Sequence, residues 1–146
     1  MTVLNVAEKL GGKRLLQREV RTELDLAELV RDGLPARALD RIVEELGEAT
    51  VSRTDVYAII GSVRTLQRKL AQRTPLSRDE SDRLMRLVQV LVRAEEALGD
   101  PVKARRWLVA ANRGLRGARP FALLDSDAGV RAVERALGRL EHGVFS

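Results

Sequence analysis

Ser77-Arg78-Asp79-Glu80 opens a stretch that runs to about Leu98 before Gly99-Asp100-Pro101 breaks it. The spacing is that of a capping box, in which the serine hydroxyl takes the amide three residues on and the glutamate reaches back to the serine amide. Downstream, Leu84, Leu87, Val88, Leu91, Val92 and Leu98 recur at helical spacing, with Arg83, Arg86 and Arg93 largely outside the stripe. A helix of this length needs helical partners along its apolar face. The rest of the chain is suited to supply them, being rich in Leu, Ala, Arg, Glu and Val with only 3% aromatic residues. An all-α fold follows, and 146 residues allow one core or two helical units of about 60 to 85 residues each.

Other boundaries are marked as locally. Thr22 precedes Leu24–Val30, a short helix that Gly33 should end, and Pro35 suits the first turn of the next, where a missing N–H is harmless. Ala38, Ile42, Val43 and Leu46 then repeat at helical spacing up to Gly47. Two short helices follow, 53–60 and 63–72, separated by Gly61-Ser62, with Ser52 and Ser62 at the N-cap positions. After the long helix come a helix from about 102 to 110 and a loop holding Asn112, Gly114, Gly117 and Pro120. A last helix after Ser126 carries Val130, Val133, Leu137, Leu140 and Val144 on one face. Residues 1–21 show no sustained period around Gly11-Gly12 and read as a loosely attached arm.

Several functions are disfavoured by what the chain lacks. Without cysteine there is no disulfide, thiol nucleophile or thiolate metal site, and the single histidine, His142, reads as a surface residue. No phosphate-binding loop or dinucleotide fingerprint is present, so neither catalytic residues nor a cofactor are expected. No apolar run reaches the roughly 20 residues of a membrane span, and the first residues lack a secretory signal pattern, so cytoplasmic residence is expected.

The basic excess, 26 Lys and Arg against 21 acids, is mostly arginine, a residue that forks onto phosphates and carboxylates. Two short helices around a tight glycine turn are a minimal helix-turn-helix, whose second helix enters the major groove. Here that helix is 63–72, with Val63, Leu66 and Leu70 facing inward. Arg64, Thr65, Gln67, Arg68 and Lys69 are the candidate DNA contacts. A solvated basic helix in a bundle would have the same composition, and that alternative stays open here. At about 1–3 kcal/mol per bidentate base contact, one helix cannot select a genomic site. Specific binding therefore implies a homodimer on a two-fold operator.

The final forty residues place Trp107-Leu108, Asn112, Leu115, Gly117, Pro120, Leu123-Leu124, Gly129, Val133, Leu137 and Glu141-His142-Gly143-Val144-Phe145 in a fixed order. That order closely resembles the toxin-binding domain of the Xre/MbcA/ParS antitoxins, the family partnered with RES-domain toxins. Gly33-Leu34-Pro35 and Val63-Arg64-Thr65-Leu66-Gln67-Arg68 resemble the family's Xre-like helix-turn-helix domain. Two departures are mild: Ala111 stands where the family places Pro before Asn, and Ser126 where it places Thr.

The resemblance implies an N-terminal Xre-like helix-turn-helix bundle at 22–74 behind the 1–21 arm, and a toxin-binding module at 75–146. It implies an antitoxin that occludes the active site of a RES-domain toxin, an enzyme that consumes NAD or transfers ADP-ribose, and assembles with it into a hetero-oligomer. The expected plug is Glu141, His142, Gly143, Val144, Phe145 and Ser146, where acceptors surround one aromatic anchor; Asn112 and Arg116 are further candidate toxin contacts. Binding to its own promoter would autoregulate the operon. Trp107 reads chiefly as a core anchor. The basic set Lys103, Arg105, Arg106, Arg113, Arg116 and Arg119 fits a solvated face, a second DNA contact or a surface for an acidic partner. A stand-alone transcription regulator and a scaffold that binds no DNA remain as other classes.

Overall fold

The computed structural model describes residues 2–143, and every regular element among them is helical. In chain order these are α1 (Val3–Lys9), α2 (Gly12–Leu16), α3 (Glu23–Asp32), α4 (Ala36–Gly47), α5 (Arg53–Ile60), α6 (Val63–Gln72), α7 (Arg78–Leu98) and α8 (Pro101–Val109). Two 3-10 turns (Arg113–Leu115 and Pro120–Leu123) and α9 (Asp127–Glu141) complete the order. The expected caps are in place: Thr22, Ser52, Ser62 and Ser126 each accept from the amide three residues on. Ser77 and Glu80 make both bonds of the capping box, at 3.1 and 2.7 Å.

Residues 2–88 form one compact unit and the chain from Gln89 onward a second. The division falls inside α7, not in the loop at 74/75. The first turns of α7 are bound to the N-terminal unit, which explains the shift. The buried Leu34 amide donates to Ser81 Oγ at 2.8 Å, and the Leu76 amide donates to the Leu34 carbonyl at 2.9 Å. Gly33 permits this strap. Its φ is +91°, and a Cβ there would lie 2.5 Å from the Leu76 carbonyl oxygen.

The core of the N-terminal unit gathers Leu26, Leu29, Leu39, Ile42, Leu46, Val56, Tyr57, Ile60, Leu66 and Leu84, all nearly or fully enclosed. The segment expected as a loose arm belongs to it. Val6, Leu10, Leu16 and Val20 are buried, α1 packs against α4, and Lys9 pairs with Glu45. Each helix of this segment is two turns or fewer, too short for a period to emerge and too short to persist without tertiary packing.

In the second unit the buried residues include Val90, Leu91, Val92 and Ala94 of α7, Ala104 and Leu108 of α8, Leu115 and Leu124 of the following loop, and Val130, Val133, Ala136 and Leu137 of α9. Leu140 is half-buried, and Trp107, expected as a core anchor, is half-buried too. Leu108 takes the enclosed position on α8 instead.

Candidate functional site

The turn between α5 and α6 determines how the basic helix is presented. The Gly61 amide closes α5 on the Tyr57 carbonyl at 2.8 Å, Arg83 Nη1 donates to the Ile60 carbonyl at 3.3 Å, and Ser62 Oγ then caps α6 on the Thr65 amide at 3.3 Å. Leu66 is fully enclosed, which fixes the rotation of α6 about its axis. Arg64, Gln67 and Arg68 are consequently exposed, and their spacing of three and four puts them on one face. Gln72 extends that face, and Arg68 Nη1 approaches its Oε1 at 3.5 Å. Thr65 is half-buried beside the cap.

Lys69 departs from the expected set. Its ammonium bonds Glu80 Oε1 on α7, and the two side chains are only 12% and 11% exposed. Four of the five expected DNA-contact residues thus remain at or near the outer face, and the fifth is turned inward. Lys69 and Glu80 are eleven residues apart, so neither the helical period nor the capping pattern connects them. Burial pushes the Glu80 carboxyl up, but the bonds from Lys69 and the Ser77 amide outweigh it and hold the group below the ordinary glutamate value.

In the second unit, Asp100 caps α8 on the Lys103 amide at 2.9 Å, with Pro101 in the first turn. The following loop is tied by Asn112. Its side chain accepts from the Gly114 amide at 2.9 Å, its own amide donates to the Ala118 carbonyl at 3.0 Å, and its carbonyl accepts from the amides of Leu115 and Gly117. Asn112, an expected toxin contact, therefore has its side-chain oxygen committed to shaping the loop. Arg116 is exposed at φ +58°, a left-handed conformation costly for a non-glycine residue.

The start of α9 shows the closest approach made at any glycine among the described residues. A Cβ on Gly129 would lie 1.7 Å from the Leu123 carbonyl oxygen and 3.1 Å from Ser126 Oγ. At its far end, Arg93 of α7 lies over Gly138, where a Cβ would sit 3.6 Å from Nη2. Arg93 reaches Glu141 at 3.5 Å and Glu134 at 4.0 Å. Glu141, expected in the plug, thus lies within ion-pair distance of Arg93 but makes no hydrogen bond to its Nε. His142 and Gly143 are exposed, and Gly143 turns the backbone at φ +70°. Val144, Phe145 and Ser146 lie outside the described residues.

A concavity of about 630 Å³ opens beside this end of α9, lined by Arg93, Arg131, Glu134, Arg135, Gly138, Arg139 and His142. Arg131, Arg135 and Arg139 repeat every four residues on one face of the helix, and among the described residues none has an acidic partner. Sequence reading placed its basic patch on α8 and the following loop and passed over this one. The spacing of four could have revealed it. The described residues contain no group of three or more His, Cys, Asp or Glu side chains able to hold a metal ion, and no helix long and apolar enough to cross a membrane.

Comparison with known proteins divides the chain similarly. The family model for the antitoxin Xre-like helix-turn-helix domain matches residues 25–89, and that for the antitoxin Xre/MbcA/ParS C-terminal toxin-binding domain matches residues 93–143. Antitoxin Xre of Photorhabdus laumondii is 32% identical over 120 residues, covering 81% of this chain and 79% of that protein. Antitoxin Xre of Pseudomonas putida is 29% identical over 125 residues, with 86% and 76% covered. A Sphingobium protein named Prs ADP-ribosylating antitoxin is 26% identical over 132 residues, with 84% and 82% covered. With α5 and α6 inside the first match and the arginine-lined end of α9 inside the second, the chain belongs to the Xre/MbcA/ParS antitoxin family.

Proposed function

We propose that this chain neutralises a RES-domain toxin by seating its last residues in the toxin's NAD-binding cleft, and that a homodimer binds the operon's own promoter through α6. It acts as an inhibitor and repressor in the cytoplasm, not as an enzyme. The observation that carries the reading is the pairing of a helix-turn-helix domain with a toxin-binding domain in one chain. The relative named Prs ADP-ribosylating antitoxin favours ADP-ribosyl transfer as the chemistry being blocked.

Physical reasoning supports each half. A cleft that holds a dinucleotide's phosphates must offer cationic donors, which attract hydrogen-bond acceptors presented by the segment that follows α9. The candidate plug is Glu141–Ser146; Glu141 lies 3.5 Å from Arg93 Nε without a hydrogen bond, a half-exposed pair that an incoming partner can displace. On the DNA side, Arg64, Gln67 and Arg68 supply phosphate and base-edge donors from one exposed helical face.

The test is coexpression with the neighbouring open reading frame, followed by copurification and a gel-shift assay on the upstream DNA. Copurification together with a shift that Arg68→Ala weakens is the expected result. Promoter binding without a copurifying partner would mean a stand-alone regulator, and a partner without promoter binding would mean a scaffold.

A further inference from the structure

We infer that Glu80, acting through Lys69, is the positioning residue that seats the recognition helix α6 for DNA, and that Lys69 itself makes no DNA contact. The inference rests on the DNA-binding reading above. Glu80 is 8% exposed and touches three elements at once. Its Oε1 accepts from the Ser77 amide at the start of α7 and from the Lys69 ammonium in the last turns of α6. Its Oε2 would lie 3.3 Å from a Cβ on Gly61, so the carboxylate also lines the turn that joins α5 to α6.

Leu66 fixes the inner face of α6 near its middle, and Ser62 fixes its first turn. The Lys69–Glu80 bond holds its C-terminal half, so α6 is fastened at both ends and along one side. A charge as poorly exposed as Lys69 cannot stay in place without its counter-charge. Removing the carboxylate therefore leaves α6 free to rotate or lift, and Arg64, Gln67 and Arg68 leave their register together.

The two roles of Lys69 predict opposite signs. If Lys69 binds phosphate and Glu80 merely competes for it, Glu80→Gln frees a cation and strengthens DNA binding. If the pair positions α6, Glu80→Gln weakens it. Glutamine keeps an acceptor for the Ser77 amide, so the cap of α7 survives the change. Lys69→Met with Glu80→Gln removes both charges while keeping the apolar stem, which restores a stable seat.

The test measures binding of the full chain to the DNA immediately upstream of its reading frame across a salt series, with hydrogen exchange of α6 amides on the same samples. Glu80→Gln is expected to lower affinity by roughly tenfold or more, the size of one lost base contact, with faster exchange in α6 and none of that change in α9. The double variant is expected to recover most of the affinity with an unchanged salt slope. Tighter binding by Glu80→Gln overturns the inference, as does a double variant that stays weak with its salt slope reduced by about 0.9, the signature of one lost phosphate contact. Unchanged exchange in α6 also overturns it. Absence of promoter binding by the unmodified chain, with Arg68→Ala as the paired control, overturns the underlying DNA reading instead; the exchange arm still decides whether Glu80 seats α6.

Discussion

Replacing Gly129 by alanine should destabilise the toxin-binding unit, although alanine is normally the better helix former by about 1 kcal/mol. The new methyl would begin 1.7 Å from the Leu123 carbonyl oxygen, where contacts under 3.0 Å essentially never occur. The obstacle is backbone, so the Leu123 peptide or the first turn of α9 must move by more than an ångström. Overpacking of this kind costs about 1–3 kcal/mol, and a backbone obstacle places it at the upper end. The same shift pulls the Gly129 amide off Ser126 Oγ, now at 3.0 Å, and losing a cap adds about 1 kcal/mol. The propensity gain offsets only part of this, leaving a net loss of about 3 kcal/mol. Trp107, the single tryptophan, lies in this unit, and the single tyrosine, Tyr57, lies in the other. Urea unfolding followed by tryptophan fluorescence should show a midpoint lower by about 2–3 M, since m for so small a unit is near the low end of about 1–3 kcal/mol/M. Toxin binding should weaken with it while promoter binding persists. A Gly129→Ala chain as stable as the parent by tryptophan fluorescence would refute the close-approach argument.

Further outcomes follow from other parts of the molecule. Leu10→Ala, in the segment expected as a loose arm, removes a fully buried side chain and should cost about 2–5 kcal/mol in the N-terminal unit by thermal denaturation; a surface-like loss would mean the segment is dispensable. Glu80 has its folded pKa below the ordinary 4.5, so its stabilisation is complete above that pH and lost as pH falls through the depressed value. Acid titration of the N-terminal unit should therefore show a steeper loss of stability below pH 4.5 in the parent than in Glu80→Gln.

Much of the fold could be read locally because its punctuation is local. Thr22, Ser52, Ser62, Ser77 and Ser126 each cap the helix predicted to follow them, and α5 and α6 occupy the expected ranges. What was not legible shares a different physical origin. Helices α1 and α2 exist by packing on the N-terminal core, not by their own propensity. Lys69 turns inward because of a carboxylate eleven residues away, and Glu141 comes within 3.5 Å of an arginine on another helix. Asn112 matched the family pattern, but its side chain shapes the loop that contains it. Matching a motif thus picked out candidate side chains, while tertiary pairing determined which of them remain available.

Inhibition of the partner toxin by a shortened chain tests the central claim most directly. The toxin's NAD turnover would be titrated with the full chain and with a chain ending at His142, with promoter binding measured on both. The account predicts that the shortened chain loses inhibition by orders of magnitude while it still binds the promoter. Full inhibition by the chain ending at His142 would contradict it, and would move the inhibitory contact to the surface formed by α8, α9 and the loop between them.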